Sequence, residues 1–361
     1  MATIRDIAER LGVSAGTVSK GLNGAPDISD ALRRSILETA VEIGYINRRA
    51  RKQENRSFAV FIENMDYESP EGFGSEILLG FKKAAAAYGW GVEVIPATPE
   101  FQAQAHYDAF MMEHKHAGAF FMGFSLGEQW MQELSSTTYP TVLLDNAVED
   151  NALVSFIGTS SGQGIRLAID RLADLGHEKI AFLNGSAGSL VSDLRMSAYL
   201  SSMSARRLSI DPDLAVYGYF VAEAARYHVP GFLDAGATAI LCGNDLIAQG
   251  VLDCCREAGF SVPEDVSVIG FDDLPLASRL DPPLTSVRQP LPELGKSAFY
   301  ALCAALNGVP LSRTELRPTL VERKSTGPAK PRVTIKREHD PDSVASVNPE
   351  LYYRFAHPRG V

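Results

Sequence analysis

Residues 3–24 read TIRDIAERLGVSAGTVSKGLNG, and this stretch decides the fold of the N-terminal region. Thr3 and Asp6 have the spacing of a capping box that opens a first helix, and Gly12 supplies its left-handed end. Ser14 is placed to cap a second helix only two residues later. Because so short a turn makes two short helices cross steeply, the pattern predicts a helix-turn-helix unit.

The exposed face of the second helix indicates what such a unit would contact. A third helix is predicted after Ser29, so that three short helices fill residues 1–46. Small and hydroxylated side chains let a helix enter the DNA major groove and contact phosphates, while Lys20 can reach a guanine edge. A small helical bundle that binds protein is the alternative. The motif is predicted at 4–23, and its candidate DNA-contacting residues are Thr3, Ser14, Ala15, Gly16, Thr17, Ser19, Lys20 and Asn23.

The distribution of charge also favours nucleic acid as the partner of this region. The 361-residue chain has a net charge of −10, yet residues 1–56 hold ten Lys and Arg against seven Asp and Glu. The segment 48–56, RRARKQENR, contains five basic residues and one Glu. A basic head on an acidic body is typical of a DNA-binding module attached to another domain, although a solvated basic tail would carry the same charge.

The N-terminal sequence resembles the head of the lactose-repressor family of bacterial transcription regulators. The resemblance rests on residues 3–24 and on the Gly-Tyr pair at 44–45. It implies that Ala15, Gly16 and Lys20 face the operator bases. Because alanine and glycine cannot form bidentate hydrogen bonds, we expect specificity to depend on Lys20, on contacts with thymine methyl groups and on DNA shape.

The linker at 47–56 departs from the family pattern. Family members usually continue with Pro-Asn and a hinge helix that carries a leucine wedge, whereas here the wedge position falls on Gln53 or Glu54. Asn47 and Arg51 match the family and are predicted to contact DNA. Intercalation needs an apolar side chain, so we expect this linker to follow phosphates and not to kink the operator strongly.

From Ser57 onward, short apolar runs alternate with segments of helical periodicity. Repeated β-α units with buried strands predict an α/β fold with parallel sheets covered on both faces, and their number favours two subdomains. The predicted strands are 58–62, 92–96, 119–123, 141–145, 180–184, 239–243 and 266–271, and the helical segments include 76–88, 102–113, 163–175, 191–205 and 245–258.

The resemblance covers this body more loosely, as far as Ser-Thr-Gly at 325–327. It implies the fold of the periplasmic sugar-binding proteins, in which two Rossmann-like lobes are joined by three crossovers and bind a ligand between them. The crossovers are expected near 157–160, 287–290 and 316–319. The predicted divisions are a DNA-binding domain at 1–46, a basic hinge at 47–56, an effector-binding and dimerisation domain at 57–330, and an additional tail at 331–361. Within the effector-binding domain, one lobe is expected from 57–157 and 290–315, and the other from 158–288 and 317–330.

Polar side chains follow several predicted strands, where open α/β sheets bind their ligands. Sugars need paired hydrogen bonds and an aromatic face, and the resemblance adds an arginine, a glutamine and two aromatic walls. The candidate effector-binding residues are therefore Phe73, Asp145, Arg195, Phe220, Asn244, Asp272 and Gln289. A helix cap is the alternative role for a single Asp or Asn after a strand. We predict that Asp245 is such a cap and that Asp273 makes a solvent or hinge contact.

Two further motifs point to other chemistry. Residues 158–162 read GTSSG and match the G-x-S-x-G pattern of esterases around Ser160, which would need a histidine and an aspartate brought to it. The candidate histidine, His177, lies in a predicted turn between a helix and a strand. His114 and His116 could bind a metal, but no third ligand is evident. We predict neither an enzyme nor a metal or other cofactor.

Taken together, the sequence predicts a DNA-binding transcriptional repressor controlled by a small polar effector, a sugar. Palindromic operators require a two-fold axis, so a homodimer is expected on double-stranded operator DNA. No apolar run reaches the roughly 20 residues of a membrane span, and the N-terminus lacks a signal-peptide core, which predicts a cytoplasmic protein without a membrane partner. The alternatives are a sugar-binding module with vestigial DNA binding and an esterase at Ser160.

Overall fold

The computed structural model describes residues 2–45 and 56–330. The predictions for Asn47, Arg51 and the tail at 331–361 lie outside these ranges. The described elements are, in chain order, α1 (Ile4–Leu11), α2 (Ala15–Leu22), α3 (Asp30–Glu42), β1 (Ser57–Ile62), α4 (Phe73–Ala87), β2 (Gly91–Pro96), α5 (Pro99–Gln102), α6 (Tyr107–Glu113), β3 (Ala119–Met122), α7 (Gln129–Glu133), β4 (Thr141–Leu144), β5 (Val154–Thr159), α8 (Ser161–Asp174), β6 (Ile180–Ser186), α9 (Leu190–Ala205), β7 (Ala215–Gly218), α10 (Ala224–Asp234), β8 (Ala239–Cys242), α11 (Asp245–Glu257), β9 (Ser267–Asp272), β10 (Thr285–Arg288), α12 (Leu291–Leu306), β11 (Arg313–Leu316) and β12 (Thr319–Val321).

The head folds into three helices, and the predicted helix starts are confirmed. The Thr3 hydroxyl accepts from the Asp6 N–H and the Asp6 carboxylate accepts from the Thr3 N–H at 2.7 Å, which completes the capping box of α1. Gly12 ends α1 with φ of 66°, and the hydroxyls of Ser14 and Ser29 cap α2 and α3. The fully buried apolar side chains of the head are Ile7, Val18, Ile36 and Ala40.

The body contains two six-stranded sheets, which confirms the predicted two-lobed α/β fold. The first sheet has the order β11-β5-β4-β3-β1-β2 and the second has the order β12-β10-β9-β8-β6-β7. Described pairs are parallel except β10 with β12, which is antiparallel. Parallel strands need helical crossovers, and these cover the sheets and bury their strands on both faces.

The chain passes between the two lobes three times. It leaves the first sheet after β5, returns through α12 after β10, and crosses again between β11 and β12. The strands of both sheets therefore end near the segments that join the lobes. Open α/β sheets bind their ligands at this end of the strands. None of the helices within residues 2–45 and 56–330 is long and apolar enough to cross a membrane.

Candidate DNA-binding surface and effector cleft

Most of the side chains on the exposed face of α2 are small. Ala15 and Gly16 are exposed, and Lys20 carries the long exposed side chain of this helix. The Lys20 ammonium pairs with the Asp27 carboxylate in the loop that follows. A helix with this surface can approach a groove floor closely while one basic group reaches out from it.

Several predicted DNA-contacting residues already have local hydrogen-bond partners. Ser14 Oγ lies 2.8 Å from Thr17 Oγ1, and Asn23 Nδ2 donates to the backbone oxygen of Ser19 at 2.8 Å. The Thr3 hydroxyl donates to the Asp6 carboxylate at 2.9 Å. These side chains are fixed in place in the free head, so they would meet DNA with little loss of conformational entropy.

In the body, four of the predicted effector residues form one buried polar cluster at the ends of the strands. Arg195 on α9 lies within electrostatic range of Asp145, which follows β4, and of Asp272, which ends β9. Gln289 Nε2 donates to Asp272 Oδ1 at 2.7 Å. The guanidinium of Arg195 stacks 3.8 Å above the ring of Phe271 and donates to the Gly243 oxygen at 2.5 Å. Residues from both lobes thus share one polar cluster.

The other three predicted effector residues take different positions. Phe220 covers Gly185, where a side chain would collide with its ring, and Asn244 Nδ2 donates to the Phe220 oxygen at 3.3 Å. Asn244 Oδ1 also accepts from the Ile247 N–H at 2.8 Å and so caps α11. Phe73 begins α4 and packs against the apolar core of the first lobe.

Several buried polar atoms lack a hydrogen-bond partner among the described residues. Four belong to strand-end or α9 residues, namely Thr159 Oγ1, Ser192 Oγ, Arg195 Nε and Gln289 Oε1, and three lie elsewhere, on Arg33, His116 and Arg171. Burying such an atom unpaired costs about 1–3 kcal/mol, so those of Arg195 and of Gln289, which is bonded to Asp272, indicate a site that a ligand can complete. Ser192 lies three residues before Arg195 on α9 and was not among the predicted site residues.

Burial shifts the ionisation of the charged groups in this cluster. It raises the pKa of Asp272 to about 7 and that of Asp145 to about 6, although Arg195 acts in the opposite direction on both. Burial likewise lowers the pKa of Arg195, and the two carboxylates counteract it. The pair therefore titrates close to neutral pH, where a change of bound ligand can change the number of bound protons.

Two family models match the chain on either side of the linker. The model described as bacterial regulatory proteins, lacI family, matches residues 3–47, and the model of a periplasmic binding protein-like domain matches residues 169–326. The chain thus combines a lacI-family helix-turn-helix domain with a periplasmic binding protein-like domain.

The chain is similar along most of its length to transcriptional regulators of the helix-turn-helix type. It is 27% identical over 338 residues to the HTH-type transcriptional regulator reg1 of Streptomyces lividans, an alignment that covers 90% of this chain and 97% of that protein. It is 28% identical over 334 residues to the HTH-type transcriptional repressor PurR of Vibrio atlanticus, with 90% and 98% covered. These similarities identify the chain as a transcriptional regulator with a helix-turn-helix DNA-binding domain and not as an enzyme.

The chain is also similar to solved structures of transcriptional regulators. The transcriptional regulator CelR in complex with cellobiose has a TM-score of 0.69 and 25% identity, covering 90% of this chain and all of that one. The lac repressor dimer bound to operator and the anti-inducer ONPF has a TM-score of 0.64 and 26% identity, covering 90% and 99%.

The described residues do not form the arrangement of side chains that an esterase site at Ser160 or a metal site at His114 and His116 would need. His177 Nδ1 lies 3.0 Å from Thr238 Oγ1 and its Nε2 lies 3.0 Å from Ser267 Oγ, so the imidazole is engaged away from Ser160. His116 lies 3.2 Å from Glu93. Within the described ranges no group of three His, Cys, Asp or Glu side chains is placed to hold a metal ion.

The prediction that Asp245 caps a helix is wrong, because Asn244 holds that position. Asp245 is fully buried, and its carboxylate accepts from Ser286 Oγ at 2.5 Å and from the Leu274 N–H at 2.7 Å. Burial raises the pKa of Asp245 well above its ordinary value. Asp245 therefore fixes the segment that begins directly after Asp272, a predicted effector-binding residue, and its neighbour Asp273.

The Asp273 side chain is buried, so of the two contacts predicted for it, one with solvent or one at a hinge, the side chain does not form the solvent contact. Its side chain is 1% exposed and forms ion pairs with Arg288 at 2.7 Å and Arg323 at 2.6 Å. Arg288 ends β10 and Arg323 follows β12, and these strands flank two of the crossovers between the lobes. The contact thus lies beside two of the segments that join the lobes.

Proposed function

We propose that this regulator is a repressor whose operator affinity is controlled by a sugar bound between its two lobes. The observation that carries the proposal is the buried cluster of Arg195, Asp145, Asp272 and Gln289, in which Arg195 Nε and Gln289 Oε1 have no hydrogen-bond partner. The similarity to CelR in complex with cellobiose supports a saccharide as the ligand class. The similarity to PurR, named as a repressor, supports repression.

A polyol suits this cluster because each hydroxyl both donates and accepts hydrogen bonds. Its hydroxyl groups would donate hydrogen bonds to Gln289 Oε1 and to the carboxylates of Asp145 and Asp272. Its oxygens would accept from Arg195 Nε and from the hydroxyl of Thr159. Phe220 offers an aromatic face for the apolar side of a pyranose ring.

Regulation follows from the distribution of these residues over the two lobes. Asp145 and Thr159 follow or end strands of the first sheet, whereas Arg195 and Asp272 belong to the second lobe and Gln289 lies in the crossover after β10. A ligand that contacts both groups favours one relative arrangement of the lobes by its difference in affinity for the two arrangements. In a homodimer, the paired heads would then meet two operator half-sites at a changed separation.

A thermal-shift screen of the full chain tests the sugar hypothesis. The panel contains cellobiose, other disaccharides and their monosaccharides, with nucleobases and amino acids as other ligand classes. A cognate saccharide at 100 times its dissociation constant adds about 2.7 kcal/mol to the free energy of unfolding. A rise in melting temperature with a nucleobase and with none of the saccharides would show that the ligand class is wrong.

We predict that effector affinity falls as the pH is lowered through 7. The ionised Asp272 carboxylate is the better acceptor for a ligand hydroxyl, and burial raises the pKa of that carboxyl to about 7. Binding at lower pH must first displace the bound proton, so the dissociation constant should rise roughly tenfold between pH 7.5 and pH 6. Isothermal titration calorimetry across this range measures it. Asp272→Asn should bind more weakly and lose the pH dependence centred near 7, leaving the dependence near 6 that comes from Asp145. An equally steep profile around pH 7 in that variant would contradict the assignment.

We also predict that Lys20→Ala weakens binding to the preferred operator by about 1–3 kcal/mol through a lost base contact. Binding to unrelated DNA should change far less. Arg51→Ala should instead weaken binding to all sequences alike and reduce the salt dependence by about one charge. Selection from a random DNA library followed by titrations at several salt concentrations separates the two effects. An unchanged operator preference in Lys20→Ala would remove this side chain from base recognition.

A further inference from the structure

A carboxylate lies beside the basic side chain of the recognition helix α2. Lys20 and Asp27 form an ion pair in which both side chains remain more than half exposed, at 57% and 55%. The hydrogen bond from Lys20 lowers the pKa of Asp27, so this carboxyl is ionised at neutral pH. Both partners are thus charged and accessible on the surface that we expect to face DNA.

The loop between α2 and α3 fixes Asp27 relative to Lys20. The Ala25 N–H donates to the backbone oxygen of Lys20 at 3.0 Å, and Arg33 Nη2 donates to the Ala25 oxygen at 2.8 Å. The Ile28 N–H returns to the same Ala25 oxygen at 3.3 Å. These three bonds anchor the loop to both helices, so the carboxylate is held at the end of α2 by backbone structure and not by the ion pair alone.

We propose that Lys20 and Asp27 read one G·C base pair together, an inference that rests on the proposed base contact of Lys20. In the major groove guanine presents the acceptors N7 and O6, while its paired cytosine presents the N4 amino donor beside them. An ammonium beside a carboxylate has the complementary order of groups. Lys20 donates to guanine and Asp27 accepts from cytosine on the same base pair.

The carboxylate adds discrimination that a lysine alone does not have. Where the paired base is thymine, the O4 acceptor replaces the cytosine amino group and faces the Asp27 carboxylate with like partial charge. Asp27 also repels the phosphates of any duplex, so it lowers affinity for all DNA while it raises selectivity for G·C. This added selectivity is important because Ala15 and Gly16, the other residues expected to face the bases, have no hydrogen-bonding side chains.

The test compares Asp27→Asn with Asp30→Asn in the full chain. Both variants remove one negative charge from the head, and Asp30 is exposed and pairs loosely with Arg33 at 3.8 Å, away from Lys20. The DNA probes are short duplexes of the selected operator with G·C or A·T at the position that Lys20→Ala affects. Melting curves of each variant report whether the head remains folded.

We expect both variants to bind unrelated DNA more tightly by a similar factor. Only Asp27→Asn should reduce the preference for G·C over A·T, by about tenfold, because its amide can donate to thymine O4 as well as accept. Equal preferences in Asp27→Asn and Asp30→Asn would overturn the joint reading while leaving the Lys20 contact intact. A selected operator with no position sensitive to Lys20→Ala would overturn both.

Discussion

Replacing Arg195 with alanine is expected to raise the dissociation constant of the effector by about 30-fold to 5,000-fold, while operator affinity stays near that of the wild type. The range corresponds to the roughly 2–5 kcal/mol lost when a buried charged hydrogen-bonding partner is removed. Arg195 is 3% exposed and lies within electrostatic range of both Asp145 and Asp272. Without the guanidinium the two carboxylates lose their shared positive partner, and the ligand oxygens lose their charged donor.

The measurement is operator release against effector concentration, with effector binding followed by calorimetry. Arg166→Ala is the matched control, because it removes an exposed arginine from α8 in the same lobe. Arg195→Lys keeps the charge but not the planar set of donors, so an intermediate loss is expected. A wild-type response in Arg195→Ala would show that the effector binds elsewhere.

The sequence predicted seven strands, β1 to β4, β6, β8 and β9. It missed β5 and β10, which lie inside the sheets, and the edge strands β7, β11 and β12. The strand β1 is a continuous apolar run and is recognisable without its neighbours. In contrast, β7, β11 and β12 have three or four residues and only partial burial. They are strands because an existing sheet offers them a partner, and that information lies in the tertiary structure.

The same limit applies within the cleft. The positions of Asp145 and Asp272 after strands were readable from the pattern, since parallel strands end at one edge. Which of Asn244 and Asp245 caps α11 was not readable, because it depends on Ser286 and the Leu274 N–H, which only the fold brings close. Ser192 was missed for a related reason: a serine on a helix has no distinctive pattern until its hydroxyl is found buried without a partner.

Replacing Gly295 with alanine is expected to lower the free energy of unfolding by about 3 kcal/mol, the upper part of the range for overpacked cores. A Cβ at this position would lie 1.8 Å from the Ile77 oxygen, and one at Gly80 would lie 2.0 Å from the Pro292 oxygen. The helices α4 and α12 thus cross with their backbones in contact at two glycines. A clash with backbone atoms is relieved only if the two helices move apart.

Gly231→Ala provides the matched control, because Gly231 lies within α10 and a Cβ there has no atom within 4 Å. That variant should gain about 0.5–1 kcal/mol through the lower entropy of its unfolded chain. Urea denaturation of both variants measures the difference, and a Gly295→Ala protein as stable as the wild type would contradict the close crossing. Because α12 returns the chain from the second lobe to the first, its tight contact with α4 also fixes where the strands of the two lobes emerge on either side of the cleft. The Gly295→Ala variant should therefore bind effector more weakly even at temperatures where it remains folded.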